Sequence, residues 1–97
     1  GLFHGGVSGT IADNAAGFAA MTLMDKEKEP LTIEFKINFL NIADGEKLVA
    51  EAEILQAGRS IFHGESKVYT IKKKEKLLTA SALITIKATS KVSEKLR

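Results

Sequence analysis

Cysteine is absent from the 97 residues, so the chain has no disulfide framework, no thiolate nucleophile and no zinc or iron–sulfur centre that needs sulfur. Its two histidines, His4 and His63, stand far apart and fit no local metal motif; no metal ion and no cofactor is expected. Tryptophan is also missing, and the aromatic residues, 6% of the chain, sit mostly at core-facing spacing instead of alternating with basic residues. That distribution argues against nucleic acid as a partner. A single proline and the lack of any low-complexity run argue against a disordered or fibrous chain. No stretch joins a basic n-region to an apolar core and a small-residue cleavage site. Together with the lack of cysteine, this makes the cytoplasm the expected location.

What remains is an ordinary globular composition: 44% hydrophobic, 27% charged, with a mean hydropathy of +0.01. Chains split into domains only well beyond this length, so one domain is expected. A domain of this size buries only about 60–65% of its unfolded surface and keeps roughly 5–10 kcal/mol of stability, which favours association with further copies. The net charge is +2, yet Lys72, Lys73, Lys74 and Lys76 cluster, as do Lys91, Lys95 and Arg97. Such clusters could meet phosphates, but lysine-rich turns also keep small β proteins soluble, and a solvated turn and tail are expected here.

Val7–Met24 reads VSGTIADNAAGFAAMTLM. It lacks proline and is rich in alanine, leucine and methionine, which predicts a helix about 27 Å long. His4-Gly5-Gly6, with Ser8 or Thr10, marks its start; the charged run Asp25–Glu29 and then Pro30 mark its end. Ser8, Thr10, Asp13, Asn14, Thr22 and two glycines oppose membrane insertion, so no membrane partner is expected. Small residues nearly all round the cylinder predict close packing on more than one face.

After Pro30 the period changes to two. Leu31, Ile33, Phe35, Ile37 and Phe39 alternate with polar residues, as in a half-buried strand. A turn at Ala43-Asp44-Gly45 leads to a strand with Leu48, Ala50, Ala52 and Ile54 on one side and Glu51 and Glu53 on the other. Ala57-Gly58-Arg59-Ser60 reads as a hairpin turn into a strand over Ile61–Lys72. Lys73-Lys74-Glu75-Lys76 is the next turn. Leu78, Ala80, Ala82, Ile84, Ile86 and Ala88 form the inward row of a last strand, and Thr89–Arg97 reads as tail. One long helix followed by four strands on short connections is an α+β layout, the helix packed on a largely antiparallel sheet that can curl around it.

Asp13 is the only ionisable side chain between Val7 and Met24. A lone carboxylate among Ile11, Ala12, Ala15 and Ala16 is costly unless it serves a purpose, reaches solvent or finds a hydrogen-bond partner. Asn14 beside it suits a satisfied amide better than a catalyst. Gly5 and Gly6 at the helix entry leave open N–H groups at the positive end of the helix dipole, where an oxyanion is favoured; helix entries also use glycine for purely conformational reasons. His4 taken alone reads as structural. No triad, no phosphate-cradling glycine loop and no second helical carboxylate accompanies Asp13. An enzyme built on these residues would use one carboxylate and backbone dipoles.

The stretch HGGVSGTIADNAAGFAA at His4–Ala20 closely resembles the signature of PaaI-like acyl-CoA thioesterases of the hotdog superfamily. LTIEFKINFLN at Leu31–Asn41 and the segment Glu46–Tyr69, with its AGRS turn, resemble that family's following strands, so the likeness covers nearly the whole chain. It implies a hotdog fold, an antiparallel sheet wrapped around a central helix, with homodimers that join their sheets and often homotetramers. The implied reaction is hydrolysis of an acyl-CoA thioester to the free acid and coenzyme A. By this resemblance Asp13 matches the acidic residue that activates water or acts as nucleophile. Gly5 matches the glycine whose N–H polarises the thioester carbonyl, and His4 the histidine that shapes that loop. Thr32 falls where relatives carry a serine or threonine that helps hold the water. Gly6 and Asn14 beside these groups are expected to contact substrate. Gly58, Arg59 and Ser60 lie where relatives place the pantetheine arm and nucleotide of coenzyme A. Phe18, Met21 and Phe35 are expected to set the depth of the acyl pocket.

Members of that family carry a helix and strand before the motif, with an asparagine or similar polar residue upstream of the histidine. This chain begins at Gly1, so a single hotdog domain over residues 1–97 without that segment is expected. The alternative is a non-catalytic acyl-CoA-binding or sensing module on the same fold. A hydroxyacyl dehydratase would need a histidine and a carboxylate acting together across the site, which this spacing does not resemble.

Overall fold

The computed structural model describes residues 1–90; Lys91, Lys95 and Arg97 lie outside the described residues. One helix, α1 (Gly5–Met21), is followed by β1 (Lys28–Phe39), β2 (Lys47–Ala57), β3 (Ile61–Lys72) and β4 (Glu75–Ser90). Neighbouring strands are antiparallel in the order β1-β4-β3-β2, so β1 and β2 are the sheet edges. This is the expected α+β arrangement of one helix on an antiparallel sheet.

Ser8, Ala12, Ala16 and Ala20 are the buried residues of α1, and their spacing of four makes them one row along the cylinder. The small side chains let β3 come close. Ser66 Oγ donates to the Ala12 carbonyl at 2.6 Å, and a Cβ on Gly64 would lie 3.6 Å from Ala16 Cβ. Packing on a second helix face is not met within one chain, where Val7, Phe18 and Met21 stay exposed. The α-helix also ends at Met21 instead of Met24: Thr22 N–H still reaches the Phe18 carbonyl, but Leu23 and Met24 donate to the carbonyls of Ala20 and Met21, three residues back, and the Thr22 hydroxyl donates to the Ala19 carbonyl.

β1 begins at Lys28 and takes Pro30 into the strand, which an edge strand tolerates. Within it Ile33 has no partner, since Thr32 pairs with Ile86 and Glu34 with Thr85. The extra residue reverses the alternation. Thr32, Phe35, Ile37 and Phe39 pair with buried Ile86, Ile84, Ala82 and Ala80 and share their helix-facing side, while Leu31 falls on the other. The single inward row expected from Leu31 to Phe39 is therefore broken at Ile33. A similar irregularity at Thr79 puts Leu77 opposite buried Thr70 and Leu78 opposite Tyr69, so Leu77, not Leu78, shares the helix-facing side. A third stands at Leu55. Each adds local twist to the sheet.

The core lies between the alanine row of α1 and Phe62, Val68, Ala80, Ala82, Ile84 and Ile86 of the central strands; Leu48, Ala50, Ala52 and Ile54 of β2 pack against it, as their alternation predicts. The β3–β4 turn is only Lys73-Lys74, both at positive φ (50 and 69°), a hairpin geometry that usually takes Asn-Gly. Beside it the Lys72 ammonium bonds Asp44 at 2.9 Å and holds that carboxyl below its usual range, while Asp44 and Glu51 raise Lys72 and Lys76.

Candidate active site

Asp13 follows Ala12 of the buried row, which places it half-buried on the flank of α1 toward β1. Thr32 Oγ donates to Asp13 Oδ1 at 2.6 Å. The carboxylate is thus neither fully buried nor unpartnered, which removes most of the cost that its apolar neighbours suggest. Two clefts meet at this pair. One, of about 430 Å³, runs toward the helix N-terminus and is lined by Gly6, Gly9, Thr10 and Phe35; the other, of about 160 Å³, runs toward the C-terminus and is lined by Asn14, Gly17, Phe18, Met21 and Pro30. Asp13 and Thr32 line both.

Gly5 and Gly6 are the first two residues of α1, not residues ahead of it. Their N–H groups have no acceptor within the helix and lie at its positive end. His4 is the N-cap; its side chain makes no capping bond, and its carbonyl accepts the Val7 N–H at 3.0 Å. His4, Gly5, Ser8, Phe39 and Leu40 help line a third cleft of about 760 Å³. A Cβ on Gly5 would lie 3.0 Å from Phe39 Cζ, so that ring covers the amide end of the helix. Eight positions along one helix separate Gly5 from Asp13 by about 12 Å.

Gly58, Arg59 and Ser60 form a separate locus. Ser66 meets α1 at Ala12 and Gly64 meets it at Ala16, so β3 runs opposite to the helix. The turn before Ile61 therefore lies beyond the C-terminal half of α1, about 20 Å along the strand from the level of Asp13. Gly58 N–H donates to the Ile61 carbonyl at 2.9 Å, and a Cβ there would come within 2.7 Å of the same oxygen; glycine is required for this hairpin. Arg59 and Ser60 are exposed.

One chain thus brings Asp13 and Thr32 together, sets Gly6 and Asn14 on the clefts to either side, places Gly5 and His4 at the helix start, and leaves Gly58–Ser60 apart. Gly9, Thr10, Gly17, Pro30 and Phe39 were not singled out as site residues by the sequence. Gly9, Gly17 and Met21 stand at four-residue intervals from Asp13, a signal available once Asp13 is chosen. Phe39 over Gly5 has no such signal, because the inward row that contains Phe39 does not say which helix residue its ring meets. Among the described residues no three of His, Cys, Asp or Glu gather to hold a metal ion, and no helix is long and apolar enough to cross a membrane.

The thioesterase superfamily matches residues 1–76. A thioesterase family protein from Silicibacter pomeroyi is 36% identical with a TM-score of 0.90, over 92% of this chain and 65% of that one. BH2602 from Bacillus halodurans, solved with CoA, is 25% identical with a TM-score of 0.85, over 91% and 60%. An acyl-CoA hydrolase from Agrobacterium tumefaciens is 25% identical with a TM-score of 0.82, over 92% and 37%. This chain spans less than two thirds of the length of each. With most of its length matched and its helix and sheet superposing on these structures, the chain belongs to the thioesterase superfamily.

Proposed function

We propose that the chain hydrolyses an acyl-CoA thioester to the free acid and coenzyme A. The observation that carries this reading is the Asp13–Thr32 hydrogen bond at the junction of two clefts. Held in one orientation by Thr32, Asp13 takes a proton from a water that attacks the carbonyl carbon; the C–S bond then breaks and the leaving thiolate recovers that proton. Alternatively, an Asp13 oxygen attacks, the thiolate leaves, and water hydrolyses the resulting anhydride. Gly5 N–H, at the positive end of α1, stabilises the oxyanion, with His4 shaping that entry. Gly6 and Asn14 border the substrate, and Gly58, Arg59 and Ser60 meet the coenzyme's phosphates. The relatives solved with CoA and named acyl-CoA hydrolase support this substrate class.

A group on the carbonyl cannot touch Gly5 and Asp13 of one chain across about 12 Å, so a second copy completes the site. The exposed Phe18, Ile33, Phe39 and Leu40, on or near the β1 edge and the helix flank, support a homodimer joined there. Pairing of dimers into a homotetramer follows from the family resemblance. The test is a panel of acyl-CoAs followed with a thiol reagent: saturable thiol release is expected. Saturable binding without thiol release would select the non-catalytic binding module.

A further inference from the structure

Four residues of α1, Gly9, Asp13, Gly17 and Met21, follow one another at one-turn intervals along the helix flank. The glycines before and after Asp13 face ring atoms of β1: a Cβ on Gly9 would lie 3.8 Å from Phe35, and one on Gly17 would lie 3.9 Å from Pro30 Cγ. Both are ordinary contact distances. Alanine would therefore fit at either position and would favour the helix more than glycine does. Fold packing does not account for glycine here; what alanine would change is the room in the two clefts that meet at the Asp13–Thr32 pair.

We infer that the smaller cleft, bounded by Gly17, Phe18, Met21 and Pro30, is the acyl compartment and restricts the enzyme to compact acyl groups. This rests on the reading of Asp13 as the group that acts on the thioester carbonyl. A carbonyl carbon held there has two substituents, the acyl side chain and the sulfur that leads into the long coenzyme arm. Two clefts of unequal size leave the same carboxylate in opposite directions along the helix, one for each substituent. The arm takes the 430 Å³ side, past Gly9, toward the Gly58–Ser60 turn of the second copy, whose antiparallel helix carries that turn to this side, and the acyl chain takes the 160 Å³ side. An enclosed apolar cavity of about 150 Å³ accommodates a benzene ring; once the second copy covers the open side of this cleft, its 160 Å³ leaves room for no more than about six carbon atoms. Gly17 sets its width beside the carbonyl, and Met21, one turn further on, sets its length.

The experiment compares acetyl-, hexanoyl- and dodecanoyl-CoA on the wild type and on Gly17→Ala, Met21→Ala and Gly9→Ala. The wild type should prefer hexanoyl over dodecanoyl. Gly17→Ala should lower the hexanoyl-to-acetyl ratio of kcat/KM about tenfold, as loss of room for a methylene does. Met21→Ala should move the preference toward dodecanoyl, and Gly9→Ala should leave the ratios unchanged. Ratios unmoved by Gly17→Ala and Met21→Ala, or moved by Gly9→Ala alone, would overturn the assignment while the thioesterase reading stands. A wild type that releases no thiol from any of the three would overturn both. If Gly17→Ala fails to fold, the Met21→Ala profile decides. A change of oligomeric state with Gly17→Ala and unaltered ratios would assign the cleft to contact between copies instead.

Discussion

The Thr32 hydroxyl stands 2.6 Å from Asp13 Oδ1 across the seam between β1 and α1, on the side that the unpaired Ile33 marks off from the rest of the strand. Strict alternation from Phe35 back through Ile33 would put Thr32 on the opposite sheet face. A single inserted residue in the ladder therefore gives the carboxylate its donor. Thr32→Val, which keeps the shape and removes the hydroxyl, should lower kcat about tenfold, and Thr32→Ser should recover most of it. Deleting Ile33 should leave the bond in place, because Thr32, Glu34 and Phe35 then alternate strictly and Thr32 stays opposite Ile86. Full activity in Thr32→Val would show that the bond does not orient Asp13 for reaction.

Asp13→Asn should keep the fold and lose about 100-fold or more in turnover, since an amide of nearly the same shape neither takes a proton nor attacks. Circular dichroism would check the fold and the thiol assay the rate. Turnover within a few-fold of wild type would remove Asp13 from the mechanism.

Ser66 ties the centre of β3 to the helix by donating to the Ala12 carbonyl at 2.6 Å, with both residues fully buried. Ser66→Ala should destabilise the domain by about 1–2 kcal/mol, lowering Tm by about 5–10 °C for a chain of this length. An unchanged Tm would mean that the alanine contacts of α1 alone position the helix.

Period-two patterning gave the four strands and the inward row of β2 because Leu48, Ala50, Ala52 and Ile54 alternate without interruption. It misplaced Leu31 and Leu78, since an unpaired residue at Ile33 or Thr79 leaves no mark in hydrophobicity and is set by how two strands register. The helix was legible from composition, yet its end was not, because Thr22 bonding back to Ala19 competes with the two good helix formers that follow it, Leu23 and Met24. Of the site, Asp13 and Thr32 do meet, with Gly6 on the cleft to one side and Asn14 on the cleft to the other. That convergence was visible only through the resemblance: spacing in sequence does not say that residue 32 lies beside residue 13.

Arg59 is exposed on a hairpin whose shape Gly58 fixes. As a phosphate contact remote from the carbonyl, Arg59→Ala should raise KM for acyl-CoA about five- to tenfold at low ionic strength with a smaller effect on kcat. The difference should shrink as salt screens the contact. An unchanged KM at low salt would make Arg59 a solvated turn residue.

The distance of about 12 Å between Gly5 and Asp13 along one helix makes the strongest demand on quaternary structure. Two helices lying antiparallel about a two-fold axis would bring Gly5 of one copy to Asp13 of the other, and the dimer would carry two equivalent sites. Two inactive variants test this. Asp13→Ala removes the carboxylate, and Gly5→Pro removes the N–H at the first helical position, where proline is well tolerated; the Phe39 ring, half exposed, must shift slightly to admit it. Unfolded and refolded together, random pairing makes about half the dimers mixed. Each mixed dimer has one site with an intact Gly5 facing an intact Asp13 and one site damaged twice, so about a quarter of wild-type activity should return. No recovery, with mixed dimers confirmed by mass, would place both groups in one chain and would require α1 or the substrate to bridge a separation that the helix holds fixed.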